Sequence, residues 1–193
     1  MRLLVLSLAL GALLLPAQQA KREYDLYAHF DTSMGEIVAQ LYHDTSPKTV
    51  DNFIALVEGK KATYDKSAVK TARPFYNGLT FHRVVKDFMI QTGQVKEGMP
   101  CGIPNLRDEI DPSRTFAEPG VLAMANTGKP NTSTCQFFIT VVPQKGLEGK
   151  YTIFGHVVSG QDVADRISQA PVRGERPVKP VVIRKVTIER RPK

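Results

Sequence analysis

The sequence predicts a mainly β domain, in which antiparallel strands curl into a closed or nearly closed barrel beside two α-helices. Two observations lead there. Short runs of alternating apolar and polar residues recur along the chain, separated by loops rich in glycine and proline. That is the pattern of half-buried strands in an all-β architecture. Only two segments carry helical signals, so helices are a minority. The 193 residues are 42% hydrophobic and 23% charged, an ordinary globular composition. No repeat or linker divides them, so residues 21–193 read as one domain.

The chain opens "MRLLVLSLALGALLLPAQQA", with Arg2 ahead of an apolar run from Leu3 to Leu15 and then small and polar residues. This is the layout of a secretory signal, too short for the ~20 residues of a membrane-spanning helix. Residues 1–20 are therefore expected to be removed on export, to the periplasm or the exterior, leaving no membrane anchor.

Two alternating strands follow in "EYDLYAHFDTSMGEIVAQLYH", folded about Ser33-Met34-Gly35. In "TSPKTVDNFIALVEGK", Ser46 suits an N-cap, Pro47 the first helical position and Gly59 the stop. Val50, Phe53, Ile54 and Val57 fall on one stripe of that helix. The polar stretch Lys60–Arg73 reads as an exposed excursion. Further strands are expected at Leu79–Val85, Phe88–Gly93, Gly120–Ala125, Gln136–Val142, Tyr151–Val158 and Val181–Glu189, with a second helix over Gln161–Gln169.

The formal net charge of +7 falls to +6 once Arg2 leaves with the first 20 residues. The basic residues are scattered, and no aromatic stacking motif accompanies them, so they read as a solvated surface rather than a nucleic-acid face. The two cysteines, Cys101 and Cys135, are too few for a disulfide framework and lack zinc-ligand spacing. One bridge and two buried thiols both fit.

Three segments in order carry a resemblance: "FYNGLTFHRVVKDFMIQTGQ", "GVLAMANTGKPNTSTCQFFIT" and "GLEGKYTIFGHVVSGQDV". Together they resemble the cyclophilin family of peptidyl-prolyl cis-trans isomerases over nearly the whole chain after residue 20. The excursion before Pro74 and the ending "RPVKPVVIRKVTIER" look like the bacterial branch. The resemblance implies a closed antiparallel barrel of eight strands capped by two helices. It implies acceleration of X-Pro isomerisation in client proteins, no metal or organic cofactor, and a monomer.

Residue by residue, Arg83 falls on the family's catalytic arginine, with Phe88 and Gln91 beside it in the catalytic set. Met89, Phe138 and Leu147 complete the apolar proline pocket with Phe88. Ala125, Asn126, Gln136 and Gln91 fall on the polar groove that holds peptide backbone. His82 precedes the arginine as in the family, and Tyr151 stands where a histidine is found near the proline pocket. Gly146 replaces a frequent tryptophan, so cyclosporin binding is expected to be weak. The resemblance also places the loops bearing Cys101 and Cys135 beside the groove, where a bridge between them would trim the subsite upstream of proline.

These residue types suit the reaction. The X-Pro bond turns over a barrier of roughly 18–20 kcal/mol without any bond being made or broken. No nucleophile or acid/base pair is needed, which accounts for the absence of a carboxylate pair or Ser-His dyad around Arg83 and Gln91. A fixed donor near the prolyl nitrogen strengthens only as the amide twists and its lone pair localises, which is differential transition-state binding.

Overall fold

The computed structural model describes residues 23–193; the expected signal over residues 1–20 lies outside them. β1 (Tyr24–Thr32) and β2 (Gly35–Leu41) pair directly, with Thr32 opposite Gly35 across the turn. α1 (Pro47–Val57) follows, then a small hairpin of β3 (Ala62–Tyr64) and β4 (Lys70–Ala72). β5 (Arg83–Val85), β6 (Met89–Thr92), β7 (Val121–Met124) and β8 (Phe137–Thr140) come next. A 3-10 turn at Lys145–Leu147 leads to β9 (Ile153–Ser159) and α2 (Gln161–Ser168). The chain ends in the hairpin β10 (Val172–Arg173) and β11 (Arg176–Pro177) and the long β12 (Ile183–Pro192).

Eight strands form one antiparallel sheet in the order β12-β1-β2-β9-β7-β8-β6-β5. The expected closed barrel is not what forms: the sheet is an open, curled half-barrel. Its edges, β5 and β12, share no ladder. Gly78 and Phe81, ahead of β5, donate to the carbonyls of Ile183 and Val181 at 2.8 and 3.1 Å, and Thr80 bridges Val182 singly. The edge is then diverted, because the Val84 N–H donates to the Glu175 carbonyl at 2.7 Å instead of to a strand. The expected strand Leu79–Val85 is shortened to the three residues Arg83–Val85. The Lys60–Arg73 stretch, expected as a plain excursion, holds the β3–β4 hairpin, and the Tyr64 N–H donates to the Cys101 carbonyl at 3.0 Å.

Strand alternation separates two apolar clusters. Val84, Ile90, Leu122, Met124, Phe137 and Ile139 join the main core with both helices, while Met89, Val121, Ala123 and Phe138 join a smaller cluster on the other face. In the main core, Phe53 of α1 sits among Phe30, Tyr76, Phe137 and Phe154 with ring centroids 5.2–6.1 Å apart. The predicted stripe of Val50, Phe53, Ile54 and Val57 is buried there.

α1 begins and ends by different means. Ser46 holds the N-cap position, but its hydroxyl donates to the buried Ile153 carbonyl at 2.7 Å. The first-turn N–H groups of Lys48 and Thr49 are accepted instead by the Glu109 carboxylate, at 3.1 and 2.8 Å. A carboxylate at that end also suits the helix dipole. At the other end Gly59 takes φ +71°, and Lys60 N–H reaches back to the Ala55 carbonyl at 2.8 Å, which closes a Schellman turn.

A disulfide joins Cys101 to Cys135, with Cα atoms 6.5 Å apart and a sequence separation of 34. It ties the long loop after β6 to the residue just before Gln136. Closing a loop of that length restricts the unfolded chain and is worth about 4 kcal/mol in the chain-entropy account. Reduction is therefore expected to lower the urea midpoint of the protein by an amount equivalent to about 3–4 kcal/mol. Identical unfolding curves with and without reductant would show that the link adds nothing.

Candidate active site

The register of four strands builds the site. Arg83 of β5 lies opposite Gln91 of β6, Gln91 opposite Phe138 of β8, and Phe138 opposite Ala123 of β7. Met89 pairs with Val85 in the neighbouring row. Between β5 and β6 a three-residue turn places Asp87 at φ +55°, a conformation aspartate tolerates, and so presents Phe88 beside Met89. These residues open onto a cavity of ≈ 100 Å³ lined by Arg83, Phe88, Met89, Gln91 and Phe138 from these strands. Ala125, Asn126, Leu147 and Tyr151 complete it from the loops.

The floor is fixed by packing. Phe138 stacks on the fully buried Phe116 at 6.2 Å and takes the Tyr151 ring edge-on at 5.3 Å. Such aromatic pairs add about 0.5–1.5 kcal/mol beyond their buried area. The loop walls are joined by Asn126, whose amide donates to the Lys150 carbonyl at 3.0 Å while its oxygen accepts from Gly128 N–H at 3.0 Å. Ala125 N–H donates to the Gln136 carbonyl at 2.9 Å, which aligns the loop after β7 with the entry to β8.

A polar line runs along the rim. The Arg83 Nη1 lies 3.4 Å from Gln91 Oε1, and Gln91 Nε2 donates to Gln136 Oε1 at 2.9 Å. On its far edge the guanidinium meets the Glu175 carboxylate twice, Nε to Oε2 at 2.5 Å and Nη2 to Oε1 at 3.1 Å. This pairing holds the Glu175 carboxyl below its usual range. Tyr76, whose phenol is pushed up by burial, donates to the Cys135 carbonyl at 2.9 Å, one residue before Gln136.

A family model for "Cyclophilin type peptidyl-prolyl cis-trans isomerase/CLD" matches residues 27–188. The chain belongs to the cyclophilin-type peptidyl-prolyl cis-trans isomerase family. It is 41% identical over 173 residues to peptidyl-prolyl cis-trans isomerase B of Streptomyces anulatus, covering 86% of this chain and 98% of that one. It is 40% identical over 160 residues to the human peptidyl-prolyl cis-trans isomerase-like 1, covering 80% and 87%. Among solved structures, a cyclophilin type isomerase of Cryptosporidium parvum superposes with a TM-score of 0.74 at 28% identity, covering 86% of this chain and 98% of that one. The same Cryptosporidium parvum protein, solved in the presence of the dipeptide Ala-Pro, superposes with a TM-score of 0.72 at 28% identity, covering 84% and 98%.

In this cyclophilin fold, nine of the eleven residues singled out from the sequence line one cavity; Gln136 and His82 do not. Gln136 stands behind Gln91 as its acceptor. His82 is packed beneath the rim, and burial first, then the charges of Arg176 and Arg83, depress its pKa to about 4 despite a hydrogen bond with Gln136. Two contributors escaped sequence reasoning. Phe116 sits in a loop without periodicity, and Glu175 lies in an exposed turn 92 residues from its partner.

The neutral His82 ring has a pH consequence. The unfolded chain protonates it near pH 6.5 whereas the folded chain resists until about pH 4, so the unfolded state binds more protons in that window. The stabilising contribution is whole above pH 6.5, declines as pH falls and is lost below about pH 4. Denaturation midpoints of the parent and a His82→Gln variant between pH 7 and pH 4 should converge toward acid. Parallel curves would reject a depressed His82.

Proposed function

We propose that the cavity beside Arg83 receives the proline ring of an X-Pro segment and that Arg83 lowers the barrier to its rotation. The observation that carries this reading is one always-charged guanidinium on the rim of an apolar floor, on the same cavity as Gln91. Phe88, Met89, Phe138 and Leu147 would grip the ring, with the methionine adapting to it. Gln91 can both donate and accept, so it steadies Arg83 and reaches the turning carbonyl. Ala125, Asn126 and Gln136 hold peptide backbone, Tyr151 borders the ring, and His82 backs Gln136.

As the amide twists, the prolyl nitrogen becomes a better acceptor, and a charged donor gains there what it does not gain in the ground state. A charge-assisted hydrogen bond of about 1.5–3 kcal/mol corresponds to roughly ten- to 150-fold in rate. The remaining acceleration falls to the apolar grip and to orientation. The relative solved with Ala-Pro lends support to a proline-containing peptide as substrate.

The reading extends to location. An exported protein of the bacterial branch, soluble once residues 1–20 are removed and acting as a monomer on client segments, fits the apolar leader and the disulfide. No contact with nucleic acid is part of it.

Arg83→Ala is expected to cut turnover of an Ala-Pro peptide at least about tenfold with an almost unchanged melting temperature. Parent-like turnover would remove Arg83 from the mechanism and leave a binding module.

Cyclosporin is expected to bind weakly, since Gly146 supplies neither an indole N–H nor a broad ring face. A Cβ added at Gly146 meets nothing within 4 Å, so Gly146→Trp should fold and be inhibited by cyclosporin more tightly. Nanomolar inhibition of the unaltered protein would contradict this.

A further inference from the structure

We infer that Glu175, at the tip of the β10–β11 hairpin, is a positioning residue for isomerisation and acts by fixing the orientation of Arg83. This rests on the proposed role of Arg83.

The geometry is that of a clamp. Nε and Nη2 form one edge of the guanidinium, and the two Glu175 oxygens meet that edge at 2.5 and 3.1 Å. A planar fork held by a carboxylate at two points loses rotation about its last bonds. Of its five N–H donors, Glu175 takes two from the outer edge. The Nη1 end is left pointing to Gln91 and the cavity. Gln91 alone, at 3.4 Å, would restrain the group poorly.

The clamp is itself anchored. The Glu175 carbonyl accepts the Val84 N–H at 2.7 Å, so the hairpin tip is bonded to the strand that carries Arg83. Val178 N–H returns to the Pro171 carbonyl at 2.8 Å and closes the hairpin base. Arg176 reaches Glu97 in the loop after β6 at 3.3 Å. Gly174 takes φ +63°, which lets the chain turn so that residue 175 faces β5.

The Glu175 side chain is 53% exposed and that of Arg83 38% exposed. Exposed ion pairs contribute little to stability, so this pair earns its place, if anywhere, in orientation. Orientation matters here because the donor must meet the nitrogen of a twisting amide, and small misplacements of a reacting group cost large factors in rate.

The test is a kinetic cycle on the full mature chain with an Ala-Pro peptide, using Glu175→Ala, Glu175→Asp, Arg83→Ala and the double alanine variant. Glu175→Ala should lower kcat about tenfold with KM changed less than about twofold. Glu175→Asp, which keeps the carboxylate, should recover part of the loss. The double variant should be no slower than Arg83→Ala, because a clamp has nothing to hold once the arginine is gone. The Val84 bond uses the backbone of residue 175 and survives these changes; should the alanine variant still unfold, Glu175→Gln replaces it, with the same expected loss.

Three results overturn the inference while leaving the Arg83 reading intact. They are parent-like kinetics in Glu175→Ala, faster turnover in it, and an equal fractional loss in the Arg83→Ala background. Full activity in Arg83→Ala would instead remove the reading beneath it, and the inference with it.

Discussion

Strand register is the constraint from which the site follows. Arg83, Gln91, Phe138 and Ala123 occupy paired positions on four neighbouring strands, so backbone hydrogen bonding alone brings donor, polar relay and apolar floor into one row. A slip of one residue in any strand would turn its side chains to the other face. Such a slip would bury Arg83 in place of Val84 and expose Ile90 in place of Gln91. The cost of an unpaired buried charge and an emptied core position makes that slip prohibitive. Stability of the core and placement of the cavity face are thus one requirement.

The same alternation explains why one short sheet serves two clusters. In β8, Phe137 and Ile139 pack with α1 in the main core, while Phe138 between them packs with Phe116 and Tyr151 under the cavity. The cavity floor therefore has its own packed support and does not depend on side chains that hold the helices. Close-packed aromatic neighbours on both sides leave the row little room to shift.

What was legible in the sequence divides by distance along the chain. The α1 stripe and most strand centres are local patterns and stand where periodicity put them, whereas the strand expected over Leu79–Val85 survives only at its end, Arg83–Val85. The family resemblance added which strand residues share a cavity, because aligned motifs carry register that periodicity alone does not. The barrel's closure was not legible. Between the edge segments there are only a few backbone bonds and the single Thr80–Val182 bridge, and the Val84 N–H goes to the Glu175 carbonyl, which comes from a distant hairpin. At α1 the cap position was legible and its partner was not: Ser46 is the N-cap, yet the carboxylate that accepts the first-turn N–H groups is that of Glu109, 60 residues away from Thr49. Phe116 and Glu175 had no local signal at all, since loop residues acquire their roles from whatever the fold sets beside them.

The electrostatics of the row suit a reaction that moves no proton. The amides of Gln91 and Gln136 do not titrate. Burial keeps His82 neutral down to about pH 4 and keeps the Tyr76 phenol protonated. His82 and Tyr76 therefore each hold one protonation state, and one hydrogen-bonding role, across the neutral range. The two ends of the polar line are held differently. At Arg83 the restraint is ionic and exposed, through Glu175. At Gln136 it is buried, through the Cys135 backbone that the Tyr76 phenol and the disulfide both hold. Between them Gln91 is tied by two side-chain hydrogen bonds, a long one of 3.4 Å to Arg83 and a shorter one of 2.9 Å to Gln136, so it is held more firmly on its Gln136 side.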